Sequence, residues 1–442
     1  MTKHLFAAVI CSWAYAASAQ NSLTLQQCID SALKNSLQLK ADKLDLDKTR
    51  ASISKTYYSL LLPTATASGS YQYQFKVPMQ LVPAEMFGGQ PGQYQTAQFS
   101  VPQNKSVSID VSQQIFNASA LIALKAAKAV VNQNELQIFS SKEDLVYNVS
   151  ASYYNIQVVF MQITLQEKNL RNTESLLQTT TDQLKAGLAT QTDVNRLTVS
   201  RDNTKASLES SRNNLEKEYN LLRLLMDLPM NAPLSISMEE NLSVGSLPSI
   251  EFNSSQKTNY RQIQESKRIA ELERRSIKAG YLPSLSLSGS MGYSGYYSNA
   301  NPFKNLNNKW YPSSSISMKL SVPIFDGFSK KYQIRQKQIE IEKLDVQAEQ
   351  TNAQNFKEVA NAYQDYKSNL NTLSTQRRNL ELAQKVLDDI NIQYKSGIVK
   401  VTDVINSQTE LYSAQSNFLT AMINIKQADL SLRKAQGTLL KQ

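Results

Sequence analysis

Residues 149–187 read VSASYYNIQVVFMQITLQEKNLRNTESLLQTTTDQLKAG, and this stretch decides the fold. Within it Val149, Ile156, Ile163, Leu170, Leu177 and Leu184 recur every seven residues. A strict apolar heptad means helices packed as a left-handed coiled coil. Shifted by 210 positions, the series becomes Val359, Tyr366, Leu373, Leu380, Leu387 and Tyr394. The segments that follow agree at the same shift. Val194, Leu208, Leu215 and Leu222 correspond to Val404, Phe418, Ile425 and Leu432, while Arg201 stands opposite Leu411. A constant shift is the mark of an internal duplication.

Chain breakers bound these helices. No proline lies between Pro102 and Pro229 or after Pro323, and no glycine lies between Gly92 and Gly187. About 70 residues separate Phe116 from Gly187, and the same separates Phe325 from Gly397. At about 1.5 Å per residue such a helix is about 105 Å long, wider than any single globular core. The helices must therefore pack along one another.

Between the helices, each half carries two strand-like stretches. In the second half, Leu285, Leu287, Gly289 and Met291 alternate with Ser284, Ser286, Ser288 and Ser290 over 284–293. Ile316, Met318, Leu320 and Val322 alternate with Ser315, Ser317, Lys319 and Ser321 over 313–323. The first half offers a weaker pair at 64–75 and 106–115, where Val107, Ile109 and Val111 alternate with Ser106, Ser108 and Asp110. One apolar and one hydroxyl face, at about 10 residues per strand, suits a membrane barrel with a wet lumen as well as a soluble hairpin. Tyr71, Tyr73, Phe75, Tyr293, Tyr296, Tyr297, Trp310 and Tyr311 tip the balance to a barrel, because they gather at strand ends as interfacial girdles do.

Pro63 and Pro283 mark helix giving way to strand, and Pro323 with Asp326-Gly327 marks the return. The expected organisation is a leader at 1–19, a first repeat at 20–228, a linker at 229–258 and a second repeat at 259–442. The hairpin tips fall at 186–193 and 396–403. The leader reading rests on Lys3 and His4, the apolar run Leu5 to Ala17, and Ala17-Ser18-Ala19 as a cleavage site before Gln20. Ile10 before Cys11 disfavours a lipoprotein start.

Composition narrows the chemistry. His4 is the only histidine and leaves with the leader, so neither a histidine base nor a histidine metal site is available. Cys28 is then the only cysteine, which excludes an intramolecular disulfide, and its helical neighbours Leu25, Ile29 and Ala32 suit a small buried residue. Ser-His, Cys-His and zinc catalysis are excluded, and no cofactor is expected. The net charge is +10, but Lys and Arg are interleaved with Asp and Glu along the helices. Such a pattern is that of solvated helix faces and not of a nucleic-acid site.

Four strands cannot close a barrel, and an open edge in lipid leaves backbone groups unpaired. Two chains would give a plugged barrel and three a 12-stranded one with a lumen. At this point the chain resembles the TolC-like outer-membrane efflux channel family over essentially the whole mature sequence. The resemblance rests on Leu23-Thr24-Leu25-Gln26-Gln27, Tyr281-Leu282-Pro283-Ser284-Leu285 and Val322-Pro323-Ile324-Phe325-Asp326-Gly327. It rests above all on two copies of a tip motif, Lys185 to Val194 and Lys395 to Val404.

The resemblance implies a mainly α fold with a membrane β part, built from a duplicated helix–strand–strand–helix–helix unit. It implies a homotrimer with a 12-stranded barrel in outer-membrane lipid and a helical tunnel in the periplasm of a Gram-negative bacterium. The implied partners are a periplasmic adaptor and an inner-membrane pump. By the same resemblance Ala186-Gly187-Leu188 and Ser396-Gly397-Ile398 dock the adaptor. Asp403 then sits at the periplasmic gate with Thr192, Asp193 and Tyr394. The chain departs from the family pattern at Asn406, where a second aspartate is expected, and at Val399, where an arginine is expected; Lys400 is adjacent to the latter. Capping of the next helix accounts fully for Asp193, and it is the competing reading for Asp403. An unassisted diffusion channel and a secreted coiled-coil scaffold are the competing readings. The pump-directed tips argue against the first, and the serine-alternating strands against the second.

Overall fold

The computed structural model describes residues 22–238, 252–298 and 309–440. The expected leader and its cleavage site lie outside these residues, as do 239–251 of the linker. The helices are α1 (Leu25–Asn35), α2 (Leu37–Leu61), α3 (Ala118–Lys185), α4 (Gln191–Leu225), α5 (Thr258–Ala279), α6 (Ser329–Lys395) and α7 (Val401–Gln436). The strands are β1 (Thr64–Tyr73), β2 (Gln80–Pro83), β3 (Tyr94–Ala97), β4 (Gln103–Asn117), β5 (Ser284–Tyr297) and β6 (Tyr311–Ser321). The order helix–strand–strand–helix–helix occurs as α2, β1, β4, α3, α4 and again as α5, β5, β6, α6, α7.

Two compact units divide the chain. The first takes the described parts of Met1–Lys43, Leu136–Arg261 and Gln350–Gln442. Here the heptad residues Val149 and Ile156 are fully buried with Cys28, Leu222 and Leu430. Val359, Tyr366 and Leu373 pack with Leu419, Ile425 and Leu432 in a second cluster, and Leu387, Val404 and Leu411 form a third. Each such side chain contributes roughly 1.5–3 kcal/mol by leaving water. No proline or glycine marks the break between α1 and α2. It is held by Ser36, whose hydroxyl accepts from the Leu39 N–H at 3.3 Å, and by Asp227, whose carboxylate accepts from the Leu37 N–H at 2.7 Å.

The apolar seam of α3 does not run to its end as the heptad suggested. Beyond Ile163 the buried positions become Asn169, Thr173 and Thr180, while Leu170 and Leu177 are only half-buried. A straight helix drifts by about 20° per heptad, so a fixed seven-residue series leaves the seam unless the helix supercoils fully. The residues that replace the leucines can be buried because partners satisfy their polar groups.

The second unit comprises Leu44–Glu135 and the described parts of Gln262–Glu349. It holds a four-stranded antiparallel sheet in the order β1-β4-β5-β6. Thr64 pairs with Ser112, Asn117 with Ser284, and Ser284 with Ser321. A bulge at Gln114/Phe116 is the one irregularity of the β4–β5 ladder. The expected strand 106–115 extends to Gln103–Asn117 because β4 is central and Gln103–Lys105 finds partners on both sides. The expected 313–323 ends instead at Ser321, two residues before Pro323, which has no N–H to give a ladder. Between β1 and β4 the chain forms the small β2–β3 hairpin, with Gln80 opposite Ala97.

Cross-strand hydroxyl contacts define one face of the sheet: Thr64–Ser112 at 2.8 Å, Ser68–Ser108 at 2.9 Å, Ser70–Ser106 at 2.7 Å and Ser288–Ser317 at 2.7 Å. The other face presents Val107, Ile109, Val111, Ile316, Met318 and Leu320, all exposed. Among the described residues, no helix is long and apolar enough to cross a membrane.

Candidate functional site

The two tips repeat one another bond for bond at their helix ends. After α3, Gly187 takes φ +74°, the Leu188 N–H reaches the Gln183 carbonyl at 2.8 Å and the Gly187 N–H the Leu184 carbonyl at 3.0 Å. After α6, Gly397 takes φ +74°, the Ile398 N–H reaches the Gln393 carbonyl at 2.9 Å and the Gly397 N–H the Tyr394 carbonyl at 2.9 Å. This is the Schellman closure, and it needs a residue without Cβ at the left-handed position. A Cβ built on either glycine meets nothing within 4 Å, so the space above both is open. Leu188 and Ile398, 79% and 72% exposed, project from the turns beside Ala186 and Ser396. Lys185 is paired with Asp182 at 2.9 Å.

The next helices begin three residues earlier than capping by the aspartates would have it. Thr190 is the N-cap of α4: its hydroxyl accepts from the Asp193 N–H at 3.2 Å, and the Asp193 carboxylate accepts from the Thr190 N–H at 3.1 Å. Lys400 caps α7 through its backbone alone, its N–H donating to the Asp403 carboxylate at 3.0 Å. Asp193 and Asp403 therefore occupy the third helical position, where a negative charge also meets the positive end of the helix dipole. Thr192 and Thr402 precede them and line a cavity of about 630 Å³ between α4 and α7, together with Arg196, Asn406 and Tyr412.

Tyr394, in the last turn of α6, is tied to α3. Its hydroxyl donates to Gln183 Oε1 at 2.8 Å, and since it has one proton, Thr180 Oγ1 at 3.1 Å must donate to it. Both partners are on α3, and the described contacts do not join Tyr394 to Thr192 or Asp193. Two further rungs follow along the same polar seam. Thr173 meets the Tyr412 hydroxyl at 3.2 Å, and Asn169 donates to Gln415 at 2.7 Å. Burial pushes the Tyr412 phenol above its ordinary pKa, with the Thr173 bond opposing, so it is a neutral hydroxyl here.

Asn169, Thr173, Thr180, Gln183, Tyr412 and Gln415 were not found by sequence reasoning. A signal for them exists at the 210-residue shift, where Thr173 and Thr180 correspond to the apolar Ala383 and Ile390. Polar residues at seam positions in one repeat only are a local exception that a search for common motifs passes over. Among the described residues no group of His, Cys, Asp and Glu could hold a metal ion.

Similar proteins share this frame. TolC of Escherichia coli K12 is 23% identical over 348 residues, 76% of this chain and 70% of TolC. The cation efflux system protein CusC of the same strain is 22% identical over 349 residues, 77% of this chain and 73% of CusC. A crystal structure of CusC superposes with a TM-score of 0.74 at 21% identity, covering 93% of this chain and 91% of that one. The outer membrane efflux protein family matches residues 28–227 and 261–438. Both repeats are thus accounted for, and the chain belongs to the outer membrane efflux protein family.

Proposed function

We propose that three copies of this chain close a 12-stranded barrel in the outer membrane and serve as the exit channel of a tripartite efflux system. One observation carries the reading. The four-stranded sheet has a polar and an apolar face and two edge strands, β1 and β6, exposed along their whole length. In lipid each unpaired edge group costs several kcal/mol, so β6 of one copy must meet β1 of the next. Twelve strands leave room for an aqueous lumen where eight would not.

In the same reading Ala186, Gly187, Leu188, Ser396, Gly397 and Ile398 receive the hairpins of a periplasmic adaptor, which couples the channel to an inner-membrane pump. The open space above each glycine and the exposure of Leu188 and Ile398 support this. Asp403, Asn406, Thr192, Asp193, Lys400 and Tyr394 form the periplasmic gate, with Asp403 contributing one carboxylate per copy around the threefold axis.

Native mass spectrometry in detergent, paired with planar-bilayer recording, tests the assembly. A trimer that conducts is expected. A monomer that conducts as well as the trimer would refute the closure argument.

A further inference from the structure

The cavity between α4 and α7 is lined by corresponding positions of the two repeats. At the 210-residue shift Thr192 matches Thr402, Asn195 matches Ile405, Arg196 matches Asn406 and Val199 matches Thr409, and all of them line it. Both helices start at a tip, at Gln191 and Val401, so matched residues face one another across the groove. The repeats differ in charge. Arg196 is the one charged side chain among the described residues that line this cavity.

The neighbouring carboxylates leave that charge open. Asp193, one turn earlier, is turned back onto Thr190 and accepts from its N–H at 3.1 Å and its hydroxyl at 2.7 Å. Asp403, at the matching place on α7, accepts from the Lys400 N–H at 3.0 Å. Asp202 is held by Arg201 at 2.6 Å. No ion pair or hydrogen bond engages Arg196 among the described residues, and its side chain is exposed. A guanidinium in this state offers a planar fork of donors to an oxyanion.

The rest of the lining is uncharged and partly apolar. Val199 is 60% exposed, and Ile405 and Tyr412 are half-buried beside it. Asn406, which faces Arg196, and Tyr412 are six residues apart, or about 9 Å along α7. A second cavity of about 320 Å³ shares Asn203, Thr204 and Tyr412 with the first and runs on to Leu165 and Leu419. The first cavity, at about 630 Å³, falls among pockets that hold drug-sized molecules, about 300–1,000 Å³.

We propose that this groove binds small amphiphilic organic anions, with a carboxylate or sulfonate on Arg196 and a ring system lying along Val199, Ile405 and Tyr412. The proposal rests on the channel reading above, in which Thr192 and Asn406 belong to the periplasmic gate, so that the groove opens into the tunnel. Charge complementarity selects an anion, because no acidic side chain lines the cavity. The apolar lining selects an organic one, since a bare inorganic anion would leave Val199, Ile405 and the Tyr412 ring uncovered while meeting a single guanidinium.

The test uses the full-length channel in lipid nanodiscs and two matched probes, 2-naphthoate and its neutral amide, titrated by calorimetry with empty nanodiscs as blank. Wild type should bind 2-naphthoate, and Arg196→Gln should weaken that binding about tenfold, as expected for one charge-assisted contact. Arg196→Lys, which keeps the charge, should restore part of it. Equal affinity of wild type for acid and amide, or equal affinity of wild type and Arg196→Gln for the acid, overturns the proposal. Displacement by equimolar inorganic phosphate would mean a bare anion site and overturns it as well. Val199→Asp places a carboxylate in the groove and should abolish binding; retained binding puts the probe elsewhere. Loss of the trimer in Arg196→Gln by native mass spectrometry would assign the guanidinium to a neighbouring copy and also overturn the site. In planar bilayers, 2-naphthoate on the periplasmic side should lower the current of wild type and not of Arg196→Gln. Binding without that effect removes the groove from the tunnel and overturns the luminal site, whereas a wild type that binds and never conducts fails the channel reading instead.

Discussion

Replacing Tyr394 by Phe deletes one hydroxyl and nothing else, yet it removes two hydrogen bonds, to Gln183 at 2.8 Å and from Thr180 at 3.1 Å. A neutral hydrogen bond contributes about 1 kcal/mol net, so each protomer loses about 2 kcal/mol of closure, or about 30-fold. If three tips open together the losses add to about 6 kcal/mol, a shift of about four decades toward the open form. If they open independently, each shifts by only about 30-fold. Thr180→Val keeps the volume and the Gln183 bond, so it should give half the effect on the free-energy scale. Planar-bilayer recording of open probability separates these outcomes. An unchanged open probability in Tyr394→Phe would show that these two bonds do not hold the tips closed. So would opening in Asp193→Ala without opening in Tyr394→Phe, because the closure would then lie at the helix cap and not in the seam.

Three further outcomes are expected. Asp403→Ala should lose block by trivalent cations from the periplasmic side and Asn406→Asp should strengthen it; unchanged block in both would remove Asp403 from the constriction. Glu143 has its pKa raised above 4.5, by burial first and then by Asp144, against the lowering bond from Thr258 and the nearby lysines. A raised carboxylate contributes stability below its unfolded pKa that is lost as pH rises through the folded value, so at neutral pH the charge is a burden. Glu143→Gln should therefore raise Tm at pH about 7 and leave it unchanged near pH 4; an equal change at both would refute the assignment. Asp227→Ala should lower stability by about 2–3 kcal/mol in thermal unfolding, losing the cap on Leu37 and placing Ala at a positive φ. Asp227→Gly, free of the second penalty, should lose less, and equal losses would show that the backbone does not contribute.

Much of this architecture is legible in the residues themselves. The heptads, the 210-residue shift and the positions of Gly187 and Gly397 state the duplicated long hairpins, because coiled-coil packing and a left-handed helix end each admit few sequences. Serine alternation in 284–293 and 313–323 states the two-faced sheet for the same reason. The ends of β4 were not legible, since Gln103–Lys105 is held by partners on both sides and not by its own pattern. The break at Ser36 depends on Asp227, distant in sequence. The Tyr394 partners were missed because the family motif directs attention to the loop carboxylates, whereas the contact is made across helices by Thr180 and Gln183, each an ordinary helical residue when read alone.

The change along α3 from Val149, Ile156 and Ile163 to Asn169, Thr173 and Thr180 also bears on the thermodynamics of opening. Parting an apolar seam hydrates hydrocarbon and carries a large positive heat-capacity change, whereas parting amides and hydroxyls carries a small or negative one. Nearest the tips these polar contacts sit beside the apolar cluster of Leu387, Val404 and Leu411, so that stretch separates with a smaller heat-capacity change per turn than an all-apolar seam would. From Ile163 towards Val149 the change grows, because each further turn exposes more buried hydrocarbon. The point where the seam turns from polar to apolar thus sets how far the helices part before further opening is resisted.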